Sequence, residues 1–194
     1  VWKEGGVYLI TGGAGGLGLI FARHIAQSVK GARLILTGRS QRPSGLEALK
    51  AFSATVEYRS VDVADSEAVR ALINAILRDH GALDGIIHSA GLLRDGYILK
   101  KTAEDLRSVL AAKVAGLMHL DDATRALDLD FFALFASLSG VAGNAGQADY
   151  AAANAFMDAY AQHRNAQDGR RRFLSLDWPL WAEYKLTRLL NLVH

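Results

Sequence analysis

A glycine-rich segment near the start of the chain constrains its fold most. Residues 11–18 lie between an apolar, β-branched run and a helix-length amphipathic run. Glycine permits a tight turn and lets backbone N–H groups approach a pyrophosphate, and the following helix N-terminus adds partial positive charge. The segment fits both G-x-G-x-x-G and T-G-x-x-x-G-x-G, so we predict a dinucleotide site, with a purely structural turn as the alternative. The predicted cofactor residues are Thr11, Gly12, Gly13, Gly15, Gly16, Leu17 and Gly18.

Apolar, β-branched runs alternate with helix-length amphipathic segments along the rest of the chain. The predicted strands are residues 7–11, 33–37, 55–61, 85–88, 131–135 and 173–176. The predicted helices are residues 16–29, 66–78, 102–127 and 147–167. Strands separated by helices need right-handed crossovers, which produce an α/β doubly wound parallel sheet, a Rossmann fold, with helices on both faces. Ligands then bind at the carboxyl ends of the strands.

Composition limits the classes of function. The chain has 194 residues, 51% of them hydrophobic, so a single domain over residues 1–194 is expected. A net charge of +2 argues against a nucleic-acid or membrane surface. Cysteine is absent and the six histidines are scattered, so we predict no metal site. No run approaches the ~20 apolar residues of a membrane span and no signal pattern begins the chain, so we predict a cytoplasmic protein.

The end of the second predicted strand distinguishes between nicotinamide cofactors. An acidic residue at this place binds the free ribose hydroxyls, whereas a basic residue accommodates a 2′-phosphate. Here Arg39 can form a charge-assisted fork with a phosphate and Ser40 can add a hydroxyl. The sequence therefore favours NADPH over NADH. A solvated surface arginine is the alternative.

Two further strand ends extend the predicted cofactor site. Asp62 and Val63 end the third strand, where we expect them to meet the edge and ring of the adenine. Ser89, Ala90 and Gly91 end the fourth strand, and their small size lets the backbone pass close to a cofactor. Ordinary turn chemistry is the alternative at both places.

Four polar residues in the second half form a candidate catalytic set: Lys113, Ser137, Tyr150 and Asn154. A phenol with a pKa of about 10 is a poor acid at neutral pH, and a nearby ammonium eases proton transfer. We expect Tyr150 to protonate a carbonyl beside Lys113. Both residues are also predicted to bind the cofactor, Lys113 at the nicotinamide ribose. A serine hydroxyl hydrogen-bonds to the carbonyl oxygen, and Asn154, one helical turn beyond Tyr150, orients Lys113 or a water. Taken alone, each residue also fits an ordinary structural role. Lys113 fits a solvated charge, Tyr150 fits a packing residue, and Ser139 is as polar a candidate as Ser137.

The order of these motifs resembles the short-chain dehydrogenase/reductase superfamily over nearly the whole chain. The resemblance rests on the glycine loop, the turn at residues 88–91, Ser137 and Tyr150. Most members place a lysine four residues after the tyrosine and an asparagine on the preceding long helix, whereas here Asn154 follows the tyrosine and Lys113 lies on the helix. That exchange resembles the ketoreductase domains of modular polyketide synthases and the related fatty-acid synthase domain. By this resemblance Ser137, thirteen residues before Tyr150, is the catalytic serine. Further matching segments are residues 110–116, 135–140, 146–150, 154–156 and 178–181.

The resemblance also implies a substrate, partners and a product configuration. Such domains reduce a β-ketoacyl thioester on the phosphopantetheine arm of an acyl carrier protein, beside other domains of the same synthase. The resemblance also implies that Pro179 contacts the cofactor. The family's stereochemical marker is Leu-Asp-Asp, and this chain has Leu93-Arg94-Asp95, so the final aspartate matches and the middle one does not. The tryptophan that marks the opposite class, expected eight residues before Tyr150, is replaced by Ala142. We therefore predict a B-type enzyme that forms the D-configured alcohol, with Asp95 as a mere turn residue as the alternative.

The two ends of the chain carry further expectations. The chain begins with Val1 and lacks the family's preceding structural subdomain, so we interpret it as the catalytic half cut from a longer protein. After Glu183 too few residues remain for a lid, a helix and a strand; truncation, an unordered stretch and a lost lid are all open explanations. An inactive cofactor-binding scaffold and a free-standing short-chain reductase remain alternative functions. The sequence leaves the oligomeric state open.

Overall fold

A six-stranded parallel sheet forms the centre of the molecule. The computed structural model describes residues 2–41, 45–167 and 171–179. The strands are β1 Val7–Thr11, β2 Arg33–Gly38, β3 Thr55–Ser60, β4 Gly85–His88, β5 Phe131–Ser137 and β6 Phe173–Trp178. They pair in the order β3-β2-β1-β4-β5-β6, and all neighbours are parallel. The predicted doubly wound Rossmann fold is thereby confirmed, and each predicted strand ends within two residues of its observed end.

Helices connect the strands and cover both faces of the sheet. The α-helices are α1 Gly16–Ser28, α2 Ser66–His80, α3 Ala103–Leu110, α4 Gly116–Ala123, α5 Leu138–Ala142 and α6 Ala148–Gln167. Leu46–Ala51 and Ile98–Lys100 are short 3₁₀ segments. The carboxylate of Asp65 caps the first N–H groups of α2, and Gly81 closes that helix at φ +77°. Within the described ranges no helix is both long enough and apolar enough to cross a membrane.

The core lies on both faces of the sheet, which explains why the central strands are almost continuous apolar runs. Every residue of β1 is buried, as are the first six of β5. On one face Val7, Leu9 and Phe132 pack against residues of α2, α4 and α6. On the other face Ile10 and Leu36 pack against α1 and the first 3₁₀ segment. The strand ends are therefore held in register, so the loops that follow them meet at one edge of the sheet.

The helix predicted over residues 102–127 is present over residues 103–123, but it is irregular inside and ends four residues early. The structure divides it into α3, a π-helical turn at Ala111–Ala115, and α4, which ends at Ala123. Beyond the turn, Gly116 packs so closely against Val63 that an added Cβ would lie 2.6 Å from the valine side chain. A π-turn inserts one extra residue into a helix and is common at functional sites. Helix α5, directly after β5, is likewise absent from the sequence prediction.

A buried carboxylate ties the far ends of two helices to the start of β6. Asp121 in α4 has no exposed surface. It accepts a 2.7 Å hydrogen bond from the Tyr160 hydroxyl and pairs with Arg164 at 2.9 Å, both from α6. Arg171, which precedes β6 and is 3% exposed, approaches the other carboxylate oxygen at 3.2 Å. This cluster fixes α6, which carries two candidate catalytic residues, against α4.

Neutralising Asp121 should cost much more stability than neutralising its neighbour in sequence. Asp121→Asn removes the buried negative charge that Arg164 and Arg171 share, so we expect the free energy of unfolding to fall by about 3 kcal/mol or more. Asp122 is the matched control because its side chain is 62% exposed and pairs only at the surface with Arg125. We expect Asp122→Asn to change stability by less than about 1 kcal/mol. Urea unfolding measures both, and equal losses would contradict the assignment.

Candidate active site

The loops after β1 to β4 surround a cleft of about 170 Å³ at the carboxyl edge of the sheet. The structure brings six of the predicted cofactor residues together in its lining. These are Gly12, Arg39, Asp62, Val63, Ala90 and Gly91. Ser108, Ala111 and Ala112 line it from α3 and the π-turn, and the sequence pattern does not single them out. The cleft is thus where the predicted dinucleotide site should be.

The glycine loop passes very close to the loop after β4. Gly12 has φ +63°, which favours glycine, and an added Cβ would lie 2.7 Å from the carbonyl oxygen of Ser89. An added Cβ at Gly18, in the first turn of α1, would lie 2.6 Å from the Gly12 carbonyl oxygen. The loops are joined by a 2.6 Å hydrogen bond from the Ser89 hydroxyl to the Thr11 carbonyl. There is no room for side chains at these positions, so the glycine loop presents backbone groups to the cleft.

The beginning of α1 offers N–H groups to an anion. Gly15 at the N-cap has no side chain to cap the helix, and the first turn contains no acidic residue. Gly15 and Gly16 are both exposed. The first N–H groups of a helix have no partner within the helix, and the helix dipole favours negative charge beside them. This arrangement fits the diphosphate of a dinucleotide.

Arg39 and Ser40 lie at the rim of the same cleft, after β2. Both residues are exposed, and no described carboxylate pairs with the Arg39 guanidinium. The backbone around them is held from β3, since the Tyr58 hydroxyl donates to the Ser40 carbonyl at 2.9 Å. β3 ends at Ser60, so Asp62 and Val63 lie just beyond the strand and not in it. Val63 is buried against Gly116, as described above.

Lys113 lies in the π-turn and is 3% exposed. Its ammonium donates a 2.8 Å hydrogen bond to the carbonyl of Phe135 in β5 and lies 3.8 Å from the Met157 sulfur. The same nitrogen lies 5.4 Å from the centre of the Tyr150 ring. An added Cβ at Gly91 would lie 3.3 Å from the Lys113 side chain, so the cofactor cleft and the ammonium are adjacent. The predicted pairing of lysine and tyrosine is therefore present in space.

Burial dominates the electrostatics of Lys113. It lowers the pKa of the ammonium to about 8, and the nearby Asp158 carboxylate opposes that shift. His88, fully buried behind the glycine loop, has its pKa lowered to about 3 by burial first and by Lys113 second. The imidazole is therefore neutral at physiological pH, and its Nδ1 lies 2.8 Å from the Thr11 hydroxyl. Lys113 is thus the positive charge at the centre of the site near neutral pH.

Ser137 and Ser139 have different environments. Ser137 ends β5 and caps α5, and its oxygen accepts the Ser139 N–H at 3.2 Å. Among the described residues it has no acceptor for its own hydroxyl hydrogen, so it can donate to a ligand. The Ser139 hydroxyl instead lies 3.3 Å from Gln147 Oε1. This geometry supports the choice of Ser137 over Ser139.

Asn154 lies one helical turn after Tyr150 in α6, as predicted, and is fully buried. Its amide nitrogen donates a 2.7 Å hydrogen bond to the Tyr150 carbonyl. Its Oδ1 atom is buried and has no hydrogen-bond partner within the described part of the chain. A buried amide oxygen without a partner is unfavourable in an isolated protein and needs a donor such as a water or a ligand hydroxyl. The structure shows no hydrogen bond between Asn154 and Lys113, so it does not support the predicted direct orientation of Lys113 by Asn154.

The predicted stereochemical residues lie beside the first turn of α6. Asp95 accepts a 3.2 Å hydrogen bond from Gln147 Nε2, and the backbone beyond it joins Gly146. Gln147 also accepts from Asn144, so it organises this corner although the sequence pattern does not mark it. Ala142 is the exposed last residue of α5. No local signal identifies Gln147, because its role arises from loops distant in sequence.

The last predicted cofactor residue lies at the carboxyl end of β6. Pro179 directly follows that strand and is exposed, outside the cleft lining described above. Its cofactor contact stays a prediction. The expectations for the lid and for residues 180–194 lie outside the described residues.

Comparisons with known proteins agree on a single kind of domain. The model of the KR domain family matches residues 6–183. Polyketide synthase PksN of Bacillus subtilis is 54% identical over 190 residues, a match that covers 94% of this chain and 4% of that protein. The chain thus spans a small fraction of the curated relative's length.

Two solved structures have the same fold with substantial identity. An N-terminal ketoreductase from a macrolactin assembly line is 47% identical, with a TM-score of 0.87 and coverage of 93% of this chain and 38% of that one. A ketoreductase domain from the bacillaene assembly line is 46% identical, with a TM-score of 0.86 and coverage of 96% and 48%. The range that the family model matches includes the cleft and all four candidate catalytic residues.

The low pKa of buried Lys113 predicts a distinct dependence of stability on pH. Between about pH 8 and pH 10.5 the unfolded chain keeps a proton that the folded chain has lost at this site. Stability relative to Lys113→Met should therefore be constant below that window and rise within it, by roughly 1 kcal/mol per pH unit. Urea unfolding of both proteins across this range measures the difference. A stability difference between the wild type and Lys113→Met that stays constant across this range would contradict the prediction.

Proposed function

This chain belongs to the KR domain family, the ketoreductases, and we propose that it reduces a β-ketoacyl thioester carried on an acyl carrier protein, with NADPH as the reductant. The product would be the β-hydroxyacyl thioester. The observation that carries the proposal is the position of the Lys113 ammonium, between the Tyr150 ring at 5.4 Å and the cofactor cleft at Gly91. Tyr150 as the acid and Lys113 as the charge that activates it thus lie at the edge of the cleft, where the nicotinamide end of the cofactor would lie.

NADPH fits the residues present in three respects. The crowded backbone of the glycine loop and the uncapped start of α1 suit its diphosphate. Arg39, free of described carboxylate partners, suits a 2′-phosphate, and no acidic residue stands at that strand end to repel it. Asp62 and Val63 bound the part of the cleft where adenine would lie. When bound, the nicotinamide supplies the hydride for the ketone carbon.

The side chains supply the proton and stabilise charge on the ketone oxygen. The Ser137 hydroxyl, whose hydrogen has no described acceptor, donates to that oxygen as negative charge develops. Tyr150 transfers its phenolic proton to the same oxygen. The Lys113 ammonium stabilises the phenolate that remains, and burial strengthens that interaction because little water screens it. The carbonyl oxygen becomes a hydroxyl and one proton is lost from Tyr150.

The proton must return to Tyr150 before another turnover. Asn154 Oδ1 is buried beside Tyr150 and lacks a partner among the described residues. A water donating to this oxygen would satisfy it and link the Lys113 region to solvent. Asn154 then acts by holding a water in a relay, which agrees with one of the two roles expected from the sequence.

The loop after β4 supports the D-configured product. Asp95 accepts a hydrogen bond from Gln147, three residues before Tyr150, so a marker residue is tied to the segment that leads to the proton donor. Ala142, exposed at the end of α5, stands where the opposite class has its tryptophan. We propose that a substrate enters past Asp95 and places one face of its ketone toward the nicotinamide. Relatives that are named polyketide synthases support an acyl carrier protein and other synthase domains as partners.

Removing the phenolic hydroxyl of Tyr150 tests the reaction directly. For Tyr150→Phe we expect the rate of NADPH-dependent reduction of a β-ketoacyl thioester to fall by about 10² to 10⁴, because the general acid is lost. NADPH should still bind, because the glycine loop and Arg39 are unchanged, and fluorescence titration measures its Kd. Chiral analysis of the wild-type product should give the D-configured alcohol.

The possible outcomes separate the alternatives. Tight NADPH binding without turnover by either protein would favour an inactive scaffold. Equal turnover by the two proteins would remove Tyr150 from its role, and an L-configured product would overturn the B-type assignment. Turnover of simple ketones but not of thioesters would favour a free-standing carbonyl reductase.

Cofactor preference should depend on Arg39. Arg39→Asp replaces a guanidinium that can bind the 2′-phosphate with a carboxylate that repels it. We therefore expect the ratio of kcat/KM for NADPH to that for NADH to fall about 100-fold. Arg33→Asp is the matched control, because it makes the same charge change at the opposite end of β2. An unchanged ratio for Arg39→Asp would show that this arginine is only a solvated surface residue.

A further inference from the structure

An ion pair joins the loop after β4 to the first turn of α6. Lys101 Nζ lies 2.6 Å from Asp149 Oδ2. The two side chains are only 9% and 1% exposed, whereas those of the surface pair Arg107–Glu104 are 74% and 81% exposed. Desolvation offsets much of the attraction in a buried pair, which often adds no more stability than an apolar pair would. Stabilisation of the fold is therefore a weak explanation for this pair.

Each partner makes a second hydrogen bond that reaches toward the site. Lys101 Nζ donates to the carbonyl of Arg94, the residue before Asp95. Asp149 Oδ1 accepts the backbone N–H of Tyr150 at 2.9 Å. The Asp149 carboxylate also lies in the first turn of α6, where the helix dipole favours negative charge. The ion pair thus connects the backbone beside the stereochemical marker to the backbone of the proton donor.

Other contacts between the same loop and the segment before α6 involve backbone groups or an exposed side chain. Gly96 N–H donates to the Gly146 carbonyl at 2.8 Å, and Gln147 Nε2 donates to Asp95 at 3.2 Å. The contact of Asp95 is exposed, so water competes with it. Between these contacts and Lys101 the loop displays three largely exposed apolar residues. They are Tyr97, Ile98 and Leu99.

We propose that Lys101 and Asp149 are positioning residues that fix Asp95 relative to Tyr150 and thereby determine which face of the ketone is reduced. The proposal rests on the proposed function, because it concerns the substrate of that same site. Neither side chain donates a proton to the substrate; each acts through the backbone that it holds. Losing the pair should loosen residues 94–101 while leaving the cofactor cleft, which is lined by other residues, intact.

The experiment compares Asp149→Asn and Lys101→Met with Lys100→Met as the matched control. Lys100 is adjacent in sequence and exposed, so its removal makes the same charge change without touching Asp149. For the first two variants we expect the proportion of the minor enantiomer to rise about tenfold and the KM for the thioester to increase. The Kd for NADPH should stay within about twofold, and Lys100→Met should match the wild type. Lys101→Arg keeps the charge and should retain most of the wild-type product ratio.

The product ratio decides between positioning and mere stabilisation. Folded single variants with the wild-type ratio would overturn the proposal. Should Asp149→Asn fail to fold, the double variant Lys101→Met with Asp149→Leu replaces the pair by apolar groups that fill the same space. A folded double variant that yields a mixed product supports the proposal, and one that keeps the wild-type ratio overturns it.

Amide hydrogen exchange tests the pair independently of turnover. In Asp149→Asn the amides of Gly96 and Tyr150 should exchange about tenfold faster than in the wild type, while those of α2 should not change. Unchanged exchange at both amides would overturn the proposal even if the enzyme is active. If the wild type reduces no thioester but exchange accelerates as expected, the proposed function fails and the pair still holds the loop.

Discussion

The Lys113 ammonium is a buried charge around which the arrangement of the site is organised. It is 3% exposed and is held by one backbone carbonyl of β5 and by the face of the Tyr150 ring. Burial lowers its pKa to about 8, so the group remains mostly charged at neutral pH. A charge with so little water around it acts strongly on its neighbours. The fold therefore has to keep β5, the π-turn and α6 in one fixed relation.

That relation comes from the parallel sheet and the Asp121 cluster. Parallel strands bring their carboxyl ends to one edge, so the glycine loop and the loop after β4 approach within van der Waals contact. The Asp121 cluster fixes α6 against α4 at the far end of both helices. The cofactor cleft and the proton donor are consequently neighbours although they lie far apart in sequence.

Local patterns in the sequence were sufficient for some features and insufficient for others. The six strands follow from apolar runs bounded by glycine and polar residues, because both faces of the sheet are buried. The π-turn around Lys113 does not follow, since the amphipathic spacing of residues 102–127 is that of an ordinary helix. Gln147 and Lys101 escaped prediction because their partners are 52 and 48 residues away.

The sequence by itself determined the Rossmann fold, the family and the identity of the candidate catalytic residues, because these depend on residue types at characteristic spacings. Only the tertiary structure decided how those residues meet. It buried Lys113 beside the Tyr150 ring, left the Ser137 hydroxyl able to donate, and left Asn154 Oδ1 without a described partner. Burial and hydrogen bonding between distant segments arise from packing, and spacing along one segment carries no record of them.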